Sequence, residues 1–163
     1  VSLWNHNGQL TTKQHIKEIL NEIPVMKGAQ TLFQFLQKNQ IQTAIISAGL
    51  DILAERIAHS LNIDYFYANG IKHDKTGRLT GDGILNVQLK YKDKNVQDLL
   101  TKTGIAPESC AAVGNSCFDL PMLTSCGMSI AFNPTDTCVQ DAADIVVTGK
   151  DLTTLIPHLK QVI

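Results

Sequence analysis

The 163 residues are 44% hydrophobic and 18% charged with a formal net charge of -1, a balance that suits one soluble globular domain with its own core. It gives no electrostatic reason to expect nucleic acid or a membrane as partner, and no apolar run reaches membrane-spanning length. Cys110, Cys117, Cys126 and Cys138 form no C-x-x-C pair, so the expectation is reduced thiols in a cytoplasmic protein, with neither disulfide nor zinc.

In chain order, Ile16, Ile19, Leu20 and Ile23 recur at i, i+3, i+4 and i+7 and predict an amphipathic helix that Pro24 stops. Leu32, Phe33 and Leu36 mark a second helix after Gly28. A β-branched-rich strand from Thr43 to Ile46 ends at Ser47-Ala48-Gly49, and Leu50, Leu53, Ile57 and Leu61 line one face of a third helix. Tyr65 to Ala68 reads as a strand, and the turn residues of Asp74–Gly77 and Thr80–Gly83 predict a hairpin within Ile71–Leu85. Val96, Leu99 and Leu100 give the inward face of a helix that follows Lys92. Then come a strand over Cys110–Val113, a helix from Asp119, a strand over Met128–Phe132 and a short helix near Asp136–Ala142. A strand over Asp144–Val147 precedes a last helix, capped by Asp151 and running to about Lys160. Strands alternating with helices at this spacing predict a parallel sheet with helices on both faces.

Three places carry chemistry. Ser47 ends an apolar strand before two small residues, where a hydroxyl can either hydrogen-bond a phosphate oxygen or cap the next helix. Lys92 opens a helix, where a fixed ammonium can stabilise a phosphoryl group, although a lysine ordinarily lies on the surface; Lys90 and Lys94 are its alternatives. From Ala111 to Leu123 a short buried strand enters a Gly/Asn/Ser turn and then a helix opening on Asp119, the kind of place where open α/β sheets bind ligands. Asp119 offers a carboxylate and Asn115 a neutral carbonyl oxygen, both hard donors suited to magnesium; a plain helix cap is the other reading of Asp119.

Gly114-Asn115-Ser116-Cys117-Phe118-Asp119 resembles the fourth motif, G-D-x-x-x-D, of the haloacid dehalogenase (HAD) superfamily in its phosphoserine phosphatase-like form. Ser47-Ala48-Gly49 resembles the second motif, and the run from Lys92 through Gly104-Ile105 resembles the third. Asp64–Asn69, Gly77–Gly81, Ser129–Asn133 and Ala143–Val147 are also similar to their counterparts there, so the likeness runs from about Pro24 to the C-terminus. It implies an α/β, three-layer HAD-like Rossmannoid fold: a mostly parallel sheet with helices on both faces, a β-hairpin and the remnant of a small helical cap. Residues 1–23 would be that remnant and 24–163 the core domain.

The same resemblance implies a Mg2+-dependent phosphatase acting on a small phosphorylated metabolite. Ser47, Ala48, Gly49 and Lys92 would bind phosphate, Lys92 would be catalytic, and Asn115 with Asp119 would hold the metal. The chain departs from the pattern where Asn115 replaces the first acidic residue and Phe118 stands where Asn is common. It also lacks the family's D-x-D-x-[TV] nucleophile motif, since Val1–Gln9 contains no acidic residue. The expectation is therefore that this chain alone is inactive and lacks a central strand. That strand would come from a missing N-terminal segment or a second subunit, unless Leu3-Trp4 stands in for it. The alternative is a catalytically inactive HAD-derived phospho-ligand-binding or regulatory domain. Arg56 and Arg78 are the only arginines, and none lies in residues 1–27, so phosphoserine itself has no support as the substrate.

Overall fold

A computed structural model describes residues 5–6 and 9–160, and the Leu3-Trp4 alternative lies outside them. Two compact units divide the chain. One takes the residues up to Val25 together with Thr43–Val87; the other takes Met26–Gln42 and the residues from Gln88 onward.

The first unit opens with the antiparallel pair β1 (Asn5–His6) and β2 (Gln9–Leu10), followed by α1 (Lys13–Asn21). Thr12 caps α1 by accepting from the His15 N–H at 3.2 Å. The remaining elements are β3 (Ala44–Leu50), α3 (Asp51–Leu61), β4 (Tyr65–His73) and β5 (Leu79–Ile84), with α2 (Ala29–Lys38) belonging to the other unit. The sheet order is β3-β4-β5, with β3 parallel to β4 and β5 antiparallel. Strand β4 runs beyond the predicted Ala68 because β5 pairs with its second half. In the hairpin turn, Asp74 Oδ1 accepts from the N–H groups of Thr76 and Arg78 at 2.8 and 3.0 Å. Ile16 of α1 packs with Ile52 and Leu79, and Arg56 ties the end of α1 to α3 by donating to the carbonyls of Asn21 and Ile23.

The second unit holds α2 (Ala29–Lys38), α4 (Lys92–Thr103), β6 (Ala111–Gly114), α5 (Leu120–Leu123), β7 (Met128–Phe132), α6 (Thr137–Ala142), β8 (Ile145–Val147) and α7 (Ile156–Leu159). Its sheet is parallel throughout, in the order β6-β7-β8. The central strand β7 is buried on both faces, as its largely apolar run requires, with Ser129 its one polar residue. Ile130 and Phe132 join Leu32, Leu36, Val147, Leu155 and Leu159, while Ala131 packs with Ala112, Leu123 and Val139. The predicted helices at Asp119 and Asp151 each begin as a 3-10 turn before one α turn, and each α turn has a proline near its start.

Each unit starts a parallel strand pair with the same device. The Thr43 hydroxyl and N–H donate to Asp64 Oδ2 at 2.9 and 2.7 Å, and the Asp64 N–H returns a bond to Thr43 Oγ1 at 3.3 Å. The Ser129 hydroxyl and N–H donate to Asp144 Oδ2 at 2.6 and 2.8 Å, and the Asp144 N–H returns one at 2.9 Å. Thr43 and Asp64 immediately precede the Ala44–Tyr65 rung, and Ser129 and Asp144 the Ile130–Ile145 rung. Three bonds thus set the register at its first step. The Ser129 hydroxyl, followed by its N–H, holds the Asp144 carboxyl below the usual carboxylate range.

One expectation is corrected. The four thiols are not all reduced: Cys117 and Cys138 form a disulfide with a Cα–Cα distance of 5.8 Å, while Cys110 and Cys126 remain free. The two partners stand 21 residues apart, and the fold rather than a local motif brings them together. Among the described residues, no helix is long and apolar enough to cross a membrane.

Thr43→Val keeps the side-chain shape and loses the hydroxyl, so it is expected to cost about 1.5–3 kcal/mol in urea unfolding, the range for a hydrogen bond to a charged group. Asp144 supplies a pH dependence. Because its folded pKa is depressed, its contribution is complete above the ordinary value of about 3.9 and is lost as pH falls through the lowered folded value. Asp144→Asn is expected to lower the unfolding midpoint at pH 7 and to remove that part of the acid sensitivity. A midpoint matching the parent at pH 7 contradicts the clamp.

Candidate phosphate and metal site

The turn after β6 is built around one carboxylate. Asp119 sits so close beneath Gly114 that a Cβ on residue 114 would lie 2.5 Å from the Asp119 Cβ, so only glycine fits there. Asp119 Oδ2 accepts from the N–H groups of Asn115 and Ser116 at 2.9 and 3.1 Å and from the Ser116 hydroxyl at 3.3 Å. Ser116 and Asp119 also form a reciprocal capping box on the 3-10 turn Cys117–Asp119, so the capping reading of Asp119 has its counterpart in the geometry.

The other oxygen, Asp119 Oδ1, accepts from Lys92 Nζ at 2.6 Å, and both side chains are about nine-tenths buried. Burial pushes the Asp119 carboxyl up, but the Lys92 hydrogen bond, the Asn115 N–H and the Lys92 charge together hold it below the usual range. Of the alternatives, Lys90 is exposed and Lys94 places its ammonium 4.8 Å from the Tyr91 ring. Lys92 is the one of the three that is buried.

Lys92, Asn115 and Asp119 are therefore brought together within the second unit. Ser47, Ala48 and Gly49 stand in the first. There the Ser47 hydroxyl oxygen accepts from the Gly49 N–H at 3.1 Å, which leaves its own proton to donate elsewhere. Ser47 does not cap α3, whose N-cap residue is Leu50. Ile45, Ser47 and Gly49 line a groove of about 210 Å³ with Leu53 and Ile57 of α3.

Three positioning residues carry no signal in the local sequence pattern. Asn69 donates to the Ala48 and Val87 carbonyls at 2.9 and 3.0 Å while accepting from the N–H groups of Asn86 and Val87, so it anchors the Ser47–Gly49 stretch of β3, which runs irregularly on to Leu50 rather than ending at the predicted Ile46. Ser116 completes the cradle under Asp119, and Thr135 binds the Asn115 carbonyl through its N–H at 2.8 Å and its hydroxyl at 3.1 Å.

The donor set tests a magnesium ion directly. Both Asp119 oxygens already accept hydrogen bonds, so Asp119 suits a hydrated ion reached through water. Asn115 is exposed and supplies an uncharged oxygen, so the residues fit Mg2+ as a weak, largely hydrated site.

A sequence profile of the haloacid dehalogenase-like hydrolases matches residues 5–127. The phosphoserine phosphatase of Archaeoglobus fulgidus is 30% identical over 147 residues, 89% of this chain and 42% of that protein. That of Haemophilus influenzae is 34% identical over 144 residues, 86% of this chain and 45% of that protein. The chain thus spans less than half the length of these two relatives. A solved structure described as a phospho-aspartyl intermediate analogue of phosphoserine phosphatase has a TM-score of 0.83 at 25% identity, over 92% of this chain and 71% of the other. The mostly parallel α/β architecture is shared with it.

Lys92→Met leaves the Asp119 carboxylate buried without its counter-charge and is expected to cost about 3–5 kcal/mol. Gly114→Ala forces Asp119 aside and is expected to cost about 1–3 kcal/mol through overpacking. Both are read by urea unfolding. A Lys92→Met loss no larger than that of the exposed Lys94→Met contradicts the buried pair.

Proposed function

The chain belongs to the haloacid dehalogenase-like hydrolases, and from that premise we propose that the whole protein is a Mg2+-dependent phosphomonoester hydrolase of the phosphoserine phosphatase-like kind. The observation that carries this reading is the buried Lys92 ammonium held 2.6 Å from Asp119 at the carboxyl end of β6. Its charge is already out of water and fixed in place, so it can stabilise a phosphoryl group as negative charge concentrates on it.

In this reading the Ser47 hydroxyl, which keeps its proton to donate, is a phosphate-binding group, and Asn69 anchors the stretch of β3 that carries it. Asn115 would hold a hydrated Mg2+ with Asp119 reaching it through water, and when bound the ion neutralises phosphoryl charge. The attacking carboxylate is assigned to a D-x-D-x-[TV] segment outside these 163 residues or on a second subunit. Two features support that assignment. Among the described residues, β3 pairs only with β4 and β6 only with β7, so each keeps one unpaired side. Strand β6 also leads to the Gly114–Asp119 motif, and β3 carries Ser47 in the irregular stretch between Ile46 and Leu50. Residues 1–23 are read as the end of a cap and 24–163 as the core.

The proposed substrate is a small phosphorylated metabolite. The guanidinium of Arg56 is engaged with the carbonyls of Asn21 and Ile23, which argues against its gripping a substrate carboxylate. A second reading is favoured by Asn115 and by the hydrogen bonds that both Asp119 oxygens already accept: a domain that binds a phosphorylated ligand without turnover.

The test is hydrolysis of p-nitrophenyl phosphate by the full-length protein with Mg2+. Lys92→Met, checked for folding by near-ultraviolet circular dichroism, is expected to lower kcat by about 100-fold or more. Ser47→Ala is expected to lower kcat/KM by about 10-fold or more, the loss of one hydrogen-bond donor to a charged group. Asn115→Asp is expected to lower the Mg2+ concentration needed. Turnover that survives Lys92→Met overturns the assignment, and phosphate binding in calorimetry without turnover establishes the second reading.

A further inference from the structure

Beside the Asp119 turn lies a cluster that the proposed hydrolysis does not use. The Sγ atoms of Cys117 and Cys138 and a carboxylate oxygen of Asp136 lie within 4.8 Å of one another. Asp136 is exposed, and its Oδ2 accepts from the Cys117 N–H at 3.0 Å; the Thr135 hydroxyl, 3.3 Å away, shares its one proton between Oδ2 and the Asn115 carbonyl. Oδ1 takes no part in either bond. As described, the two sulfurs are joined in a disulfide.

We propose that reduction of this disulfide turns Cys117, Asp136 and Cys138 into a binding site for one thiophilic divalent cation of the zinc type. A small thiol reductant would supply two electrons and two protons to the bridge and leave as its own disulfide. On metal entry the two cysteine thiols lose their protons to the buffer, and the cation takes two thiolates, one carboxylate oxygen and a water.

Two sulfur donors and one oxygen suit tetrahedral zinc, whereas magnesium takes oxygen ligands alone. The cluster is therefore chemically distinct from the all-oxygen donor set of Asn115 and Asp119. It is nonetheless mechanically joined to that turn. Cys117 opens the 3-10 turn that ends at Asp119, and Thr135, next to Asp136, binds the Asn115 carbonyl at 2.8 Å. Disulfide and metal are two ways of fastening the start of α6 to the same turn. This inference does not rest on the phosphatase reading, because its readout is metal binding.

The experiment uses the full-length protein, either as isolated or reduced with a phosphine, which takes oxygen from water and adds no competing thiol. The probes are Zn2+ and Co2+. The reduced protein is expected to bind one equivalent of Zn2+ about 100-fold or more tightly than the oxidised protein, and its Co2+ form is expected to show a thiolate-to-cobalt charge-transfer band. Cys138→Ser is expected to abolish the band, Asp136→Asn to weaken Zn2+ binding by about 10–100-fold, and Cys110→Ser to change neither. Equal Zn2+ affinity of the two redox forms overturns the proposal, as does a cobalt band that survives Cys138→Ser. If Cys138→Ser fails to fold, unchanged affinity in Asp136→Asn overturns it instead.

Discussion

A carboxylate buried at the end of a parallel strand needs a counter-charge and hydrogen-bond donors, and meeting that need at Asp119 organises much of the second unit. One oxygen takes the Lys92 ammonium and the other takes two backbone N–H groups and a hydroxyl. Removing the ammonium would leave charge in a low-dielectric interior, and moving the turn would strand its N–H groups. Gly114 is then the only residue that lets the strand pass over the carboxylate. Helix α4, strand β6 and the turn are held in one arrangement by a single side chain.

The strand pairs show the same logic without a cation. Thr43 with Asp64 and Ser129 with Asp144 each use one carboxylate oxygen to accept a hydroxyl and an N–H from the neighbouring strand. Parallel strands joined by a crossover have no tight turn to set their register, so something else must. Here a short hydroxyl and an aspartate do so at the first rung of a pair in each unit.

Local signals in the sequence reported local structure well. The largely apolar run Met128–Phe132 is a strand buried on both faces, and the Asp74–Gly77 turn forms its hairpin. Ser47, Lys92 and Asp119 stood out because residue type and spacing suggest anion binding, and the fold brings Lys92 to Asp119. What stayed hidden joins residues far apart in sequence. Thr43 and Asp64 are 21 positions apart, Ser129 and Asp144 are 15 apart, and Cys117 and Cys138 are 21 apart. No periodicity of helix or strand relates such positions, since each bond exists only once the crossover has been made. Asn69 was hidden for the same reason: it reads as one more residue at a strand end, yet it holds the Ala48 carbonyl.

Occupation of both Asp119 oxygens also bears on what this turn can do. An ammonium has three donors, and Asp119 uses one of them, so pairing does not exhaust Lys92. An arriving anion would meet a charge whose desolvation was settled during folding, and little reorganisation would be needed at the moment of reaction. In the proposed site the same pairing weakens Asp119 as a direct metal ligand, so a bound ion would depend on the neutral Asn115 and on water. In the proposed reaction the burden of charge stabilisation therefore shifts from metal to lysine. That shift is a physical consequence of an amide standing at position 115, because a carboxylate there would offer a bound cation a charged oxygen.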